Sequence, residues 1–221
     1  MKKLILILTL LIGTSIVSAQ KIHFESGITT SKFDYQNSNG NPLMNLKQVN
    51  GRYLAFGYSQ KLFTENLYLK LDFNYSSYGS IGSDIDFGNF MEWEVSYAGA
   101  GLSFDLVLLT YKKLKLTATG GGSAALLHRG NQIINNTVTG LKGNPDFDGT
   151  LFTPFFGGGF SYPATDNLDF FVKYINGKSL DIAKGRETLK FESSTISFGV
   201  MIGIEAEKKK HVGITNESKN K

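Results

Sequence analysis

His128 and Ser123, close together on one strand-like stretch, are of the types that nucleophilic or acid–base chemistry uses. Such chemistry requires a nucleophile, a base within hydrogen-bond reach of it, and a group that orients the base. Residues 123 and 128 differ in parity, so on an extended strand they fall on opposite faces. The chain has no cysteine and three histidines, the others being His23 and His211. Thiol nucleophiles, disulfides and thiolate metal sites are therefore excluded, and little remains for zinc. Asp84-Ile85-Asp86 and Asp146-Phe147-Asp148 offer oxygen ligands but lack the spacing of an EF-hand loop, and they read as solvated turn acids. Gly120-Gly121-Gly122 and Gly157-Gly158-Gly159 sit in strand-like stretches with no helix following, where glycine serves close packing and not phosphate binding. Asn135-Asn136-Thr137 matches a glycosylation acceptor by pattern alone. The expectation is a protein with no catalytic residue, no cofactor and no metal.

The elements that position these residues follow from composition and alternation. With 25 Gly, 17 Phe and 10 Tyr in 221 residues, 13% aromatic and 19% charged, the chain is too apolar to be disordered. A mean hydropathy of −0.11 is too polar for a helical membrane protein. Met1-Lys2-Lys3, an apolar run from Leu4 to Val17 and the small residues Val17-Ser18-Ala19 form a secretory signal, with cleavage expected between Ala19 and Gln20. The division is then 1–19 signal, 20–205 folded body and 206–221 polar tail. The pI near 9.0 comes from the lysines of the signal and tail. The body is close to neutral and has no basic stripe, so a nucleic-acid partner is not expected.

From Gln20 onward apolar residues recur at period two between Gly, Asn, Asp and Ser clusters, which argues an all-β chain. Strands are expected at 21–35, 51–62, 67–78, 91–105, 114–127, 151–162, 168–176 and 189–204. In the fourth, Trp93, Val95 and Tyr97 share one parity and Leu102 and Phe104 the other, so a bulge is expected near Gly99 to Gly101. The intervening connections alternate long (36–50, 79–90, 128–150) and short (63–66, 106–113, 163–167), with an intermediate last one at 177–188. One end of a membrane barrel carries short turns and the other long loops in this way. The less apolar face holds small residues such as Ala55, Gly57, Ala98 and Gly199 with few lysines, suiting a narrow interior. Parity projects Glu25, Lys61, Lys70, Asp72, Glu92, Glu94, Lys115, Asp169 and Lys173 inward, where charges of both signs must pair. Aromatics near strand ends are expected as two interfacial girdles: Phe24, Phe63, Phe104, Tyr162 and Phe170 on the turn side, and Tyr75, Trp93, Phe152 and Tyr174 on the loop side.

These features predict an eight-stranded antiparallel transmembrane up-and-down β-barrel. The Ser18-Ala19-Gln20 signal end, the short turns at Thr64-Glu65-Asn66 and Pro163 to Asn167, and the closing run Ile196-Ser197-Phe198-Gly199-Val200-Met201-Ile202-Gly203-Ile204 resemble small outer-membrane β-barrel proteins of the Bacteroidota type, and more loosely OmpA and OmpX. The resemblance implies an outer-membrane location with both termini periplasmic. It implies outer-membrane lipid and lipopolysaccharide as surroundings, with an envelope-complex or extracellular partner met through the outward loops. His128 beside Arg129 would then face lipopolysaccharide phosphates. The role expected is non-enzymatic: structural, adhesive or accessory to an envelope complex. The competing readings are a lipid A-modifying enzyme built around His128, a narrow transport component, and a soluble lipocalin-like barrel with its faces reversed.

Overall fold

The computed structural model describes residues 20–37, 39–43, 45–84, 89–183 and 187–204. The expected signal at 1–19 and tail at 206–221 lie outside these residues. So do Ile85 and Asp86, with only the backbone of Asp84 described. Among the described residues there are nine strands and no helix: β1 (Gln20–Gln36), β2 (Lys47–Lys61), β3 (Leu67–Asp84), β4 (Asn89–Tyr111), β5 (Leu114–Ile134), β6 (Thr137–Gly140), β7 (Leu151–Pro163), β8 (Leu168–Lys178) and β9 (Thr188–Ile204). They form one antiparallel sheet in the order β4-β3-β2-β1-β9-β8-β7-β5-β6, closed by pairing of β4 with β5. The short β6 hangs from β5 at one end, so eight strands form the closed ring. Following the register once around from Gln20 returns to β1 at Thr30. This stagger tilts the strands, and closure removes every free edge.

Alternation puts one residue set outside. Phe24 and Ile28 of β1, Leu54 and Phe56 of β2, Leu71 and Phe73 of β3, and Leu102 and Phe104 of β4 are exposed on the wall. Leu114 and Leu126 of β5, Phe156 and Phe160 of β7, Phe170 and Val172 of β8, and Ile196 and Phe198 of β9 continue the belt around the ring. Such a continuous band is far larger than the patch of a few hundred Å² that a soluble monomer tolerates. The polar-outside faces of a soluble lipocalin-like barrel are therefore not those of this molecule.

The strands reach further toward the loop end than the sequence pattern indicated, and β4 differs in phase. Pairing of β3 with β4 is unbroken from Leu67↔Leu106 to Asp84↔Asn89, so there is no bulge at Gly99 to Gly101. Trp93, Val95 and Tyr97 face inward with Gly101, Ser103 and Asp105, and all are buried. Ala98 and Glu94 are exposed on the outside, and Glu92 shares their parity. The irregularities are elsewhere, at Leu108 on β4 and His128 on β5, each skipped in the β4–β5 register. The bulge at His128 resets the alternation and hides the continuation of β5 to Ile134. The expected 106–113 connection is likewise mostly strand. β4 runs to Tyr111, and a two-residue turn at Lys112-Lys113, with Lys112 at φ 54°, leads into β5.

Candidate functional site

The interior has two zones. Toward the end where Gln20 pairs Ile204 it is polar. Lys70 Nζ lies 2.6 Å from Asp105 Oδ2, and Lys173 Nζ lies 2.7 Å from Glu25 Oε2. Lys21 pairs Asp169. Thr119 Oγ1 donates to Asp105 Oδ1 at 2.7 Å, and Ser197 Oγ donates to Glu25. Both ammonium groups lie near the ring of Phe171, its centroid 5.1 Å from Lys70 Nζ and 5.2 Å from Lys173 Nζ. Buried charges are tolerated when each has a counter-ion and further hydrogen bonds, and this cluster supplies both. The chain crowds here. A methyl group at Gly199 would fall on the Phe24 carbonyl oxygen and on the Phe171 ring, so the approach of Phe171 depends on glycine at that position. The spaces between these side chains are small, one of about 40 Å³ beside Lys21, Lys70 and Asp105 and one of about 60 Å³ beside Asp72, Tyr53 and Lys173.

Most of the expected interior charges belong to this zone. Glu25, Lys70, Asp169 and Lys173 are buried in it. Asp72 accepts from Asn74 at 3.0 Å, Lys115 borders the smaller space, and Lys61 pairs Glu65 at 3.7 Å near the β2–β3 turn. Glu94 is not among them, and Glu92 shares its outward parity, for the reason of phase given above. The cluster also contains Lys21 and Asp105, whose inward parity was available in the sequence, and His23, which is 1% exposed and whose Nδ1 has no hydrogen-bond partner.

The other zone, at the loop end, is apolar. Phe33, Trp93, Val95, Tyr97, Leu127, Leu189 and Phe191 from the strands pack with Leu141, Phe147 and Ile182 from the connections. Phe33 stacks on Phe191 at 4.5 Å between centroids and meets Trp93 at 6.0 Å and Phe147 at 6.1 Å. The connection between β5 and β7 folds over the opening. Asn135 and Asn136, at φ 46° and 67°, make the tight turn into β6 that an Asn-rich two-residue hairpin favours, and Asn144 Oδ1 accepts from the Asp146 amide at 3.0 Å. Tyr97 Oη donates to the Phe147 carbonyl at 2.7 Å. Beside this cover lies a cavity of about 300 Å³, bordered by Phe33, Tyr35, Trp93, Phe147, Asp146 and Glu187 among others. Tyr35 Oη donates to Glu187 Oε2 at 2.9 Å. Burial first, and this bond second, push the Tyr35 phenol up to about 12. Burial, then the neighbouring Glu187 charge, hold the Asp146 carboxyl above its ordinary value.

The remaining expected residues have the following positions. Phe24, Phe104, Phe152, Tyr162, Phe170 and Tyr174 are about half exposed on the outer wall, and Phe63 is almost fully exposed in the β2–β3 turn. Tyr75 meets His128 edge-on, with ring centroids 6.0 Å apart. Trp93 is not an outer aromatic, being 8% exposed inside the mouth. Phe56, Phe73, Phe156 and Phe198 are also exposed on the wall, so its aromatics are not confined to two rims. His128 and Arg129 both face outward because the bulge makes them consecutive on that face. Ser123 borders the interior, so the wall separates it from His128. Ala19 lies outside the described residues, and Gln20 opens β1. Among the described residues no group of three or more His, Asp or Glu could hold a metal.

No family model and no curated protein matches the chain. Among solved structures it is similar to Neisserial surface protein A, at 16% identity over 83% of this chain and 97% of that one, with a TM-score of 0.47. It is also similar to the N-terminal β-barrel domain of Pseudomonas aeruginosa OprF (12% identity, 85% and 100% covered, TM-score 0.43). A third is Ail, the attachment invasion locus protein of Yersinia pestis (10% identity, 84% and 100% covered, TM-score 0.40).

Proposed function

We propose that this chain is a sealed outer-membrane β-barrel with a non-enzymatic role, holding a fixed outward surface for adhesion, ligand binding or contact with an envelope complex. The observation that carries this reading is the apolar outer belt on all eight ring strands around an interior filled with paired charges and packed rings. On β9 the belt runs from Ile196 to Ile204. At ~3.3 Å per residue and a tilt of about 40°, that covers roughly 20 Å, close to the ~25 Å apolar height of outer-membrane barrels. Beyond it the outward residues turn polar: Lys32 and Asp34 on β1, Lys178 on β8 and Glu192 on β9 join in one ion-paired cluster.

Orientation follows from the connections. The turns at Lys112-Lys113 and 164–167 are short, whereas the β5–β7 connection is longer and packs over the opening together with Ile182 and Ala183 from the β8–β9 connection. In an outer-membrane barrel short turns are periplasmic, which puts Gln20 and Ile204 in the periplasm and the cavity bordered by Trp93 outside. His128 and Arg129 then stand at the outer edge of the belt, where lipopolysaccharide phosphates supply counter-charge. The interior spaces of about 40 and 60 Å³ hold only a few waters, so the barrel does not conduct.

Planar-bilayer recording tests the seal. Silence of the refolded barrel agrees with it, and steps above background would favour the transport reading. The enzymatic alternative is tested by a lipid A mass profile of cells carrying the wild type and His128→Ala, with no difference expected.

A further inference from the structure

We propose that the cavity at the barrel mouth binds an organic cation: a small ammonium ligand with an aromatic or branched aliphatic body. This deepens the binding role proposed above by naming the ligand chemistry of one surface. It rests on that reading only for the side of the membrane from which the ligand comes. At about 300 Å³ the cavity is at the lower end of small-molecule sites, enough for a ligand of about ten non-hydrogen atoms.

Its walls and charges select the ligand. Phe33, Trp93 and Phe147 present rings around one space, and Tyr35 adds a fourth. Ring faces attract cations, and they do so more strongly where water is excluded. Among the described residues, the charged side chains bordering the cavity are Asp146 and Glu187, and no basic one borders it. Lys184 and Arg186, which precede Glu187 in sequence, lie outside the described residues. The Tyr35 bond holds the Glu187 carboxylate in place, so the site has its counter-charge fixed before a ligand arrives, which lowers the ordering cost of binding. The two carboxylates also feel each other, since the Glu187 charge contributes to the raised carboxyl of Asp146. An ammonium group between them relieves that repulsion. A carboxylate ligand would increase it, and a neutral ligand would leave it unchanged.

Trp93 is the single tryptophan of the chain and borders the cavity, so its fluorescence reports occupancy without background. The full chain, refolded in a non-ionic maltoside and checked for folded gel mobility, is titrated with phenethylammonium, 2-phenylethanol and phenylacetate. The expected result is a saturable change with phenethylammonium, an apparent Kd at least tenfold higher for 2-phenylethanol, and no saturable change with phenylacetate. Asp146→Asn and Glu187→Gln, similar in shape to the native residues, should each weaken phenethylammonium fivefold or more and leave 2-phenylethanol unchanged. Equal affinity for the ammonium and the alcohol, tighter binding of phenylacetate, or no saturable change in the folded wild type would each overturn the proposal. The wild-type comparison of the three probes needs no variant to fold. Membrane placement is read by a different experiment, described below, so failure of one reading is distinguishable from failure of the other.

Discussion

The phenol of Tyr97 donates a 2.7 Å hydrogen bond to the main-chain carbonyl of Phe147. One residue belongs to the barrel wall and the other to the connection that covers its mouth, and both are buried. The bond satisfies a hydroxyl that would otherwise be stranded among apolar rings. Phe147 is in turn held against Phe33, so this residue gives the cover both a polar tie and an apolar anchor.

These two parts should separate energetically. Tyr97→Phe keeps the ring and removes the donor, and should cost about 1 kcal/mol. Phe147→Ala removes the anchor and should cost ~3–5 kcal/mol. Urea titration of the refolded barrel measures both, and equal losses would contradict the division.

The interior charges should behave as a coupled set. Lys173→Met leaves Glu25 buried without its cation, and Glu25→Gln leaves Lys173 without its anion; each should cost ~3–5 kcal/mol. The double variant should be milder than the sum of the two, because no uncompensated charge remains. A double-mutant cycle in urea tests this, and simple additivity would show that the 2.7 Å pair is not an energetic unit.

Glycine is required at some wall positions and replaceable at others. Gly199→Ala forces the methyl group into the Phe171 ring and the Phe24 backbone, whereas a methyl group at Gly120 meets nothing within 4 Å. Gly199→Ala should therefore abolish refolding or lower the urea midpoint sharply, with Gly120→Ala close to wild type. The reverse order would refute the packing described around Phe171.

The ion-paired cluster above the belt gives a pH dependence of known sign. Hydrogen bonds from Lys178 and then Lys32 hold the Glu192 carboxyl below its ordinary 4.5. A carboxyl depressed on folding stabilises above its unfolded value and loses that contribution as pH falls through the folded value. Its side chain is 35% exposed, so screening limits the gain to less than ~1 kcal/mol. The stability difference between wild type and Glu192→Gln should be present at pH 7, shrink on acidification below 4.5 and fade in high salt. A difference that grows with acid would contradict the sign.

Much of the barrel was legible from alternation, and each failure has a physical source. On β3 and β9 the outward face is apolar and the inward face polar or small, so parity alone identifies the wall. On β4 both faces are apolar at different heights: Trp93, Val95 and Tyr97 face the packed mouth and Leu102 and Phe104 face outward. Hydrophobicity cannot distinguish a core from a lipid phase, so the change of face at constant phase resembles a bulge. Asp105 on the parity of Trp93 and Tyr97 pointed to that parity as the interior, but Glu92 and Glu94 on the opposite parity pointed the other way. Bulges that insert a residue, as at His128, erase the continuation of a strand. Asn135-Asn136, read in the sequence only as part of a glycosylation pattern, forms the hairpin turn into β6. The mouth cavity was not legible, because Tyr35 and Trp93 on two strands and Asp146 and Glu187 in two connections, far apart in sequence, meet only through tertiary packing.

The central claim is that this barrel spans the outer membrane with its packed mouth outside, and the absence of cysteine makes single-cysteine labelling its most direct test. Thr137→Cys in β6 at the loop end, Thr64→Cys in the β2–β3 turn and Phe198→Cys in the outer belt, all exposed positions, are treated in intact cells with a membrane-impermeant maleimide. The account predicts labelling at 137 in intact cells, at 64 only after the envelope is opened, and at 198 only after denaturation. Labelling at 64 but not 137 in intact cells would reverse the orientation, and labelling at 198 in the folded protein would contradict the membrane placement itself.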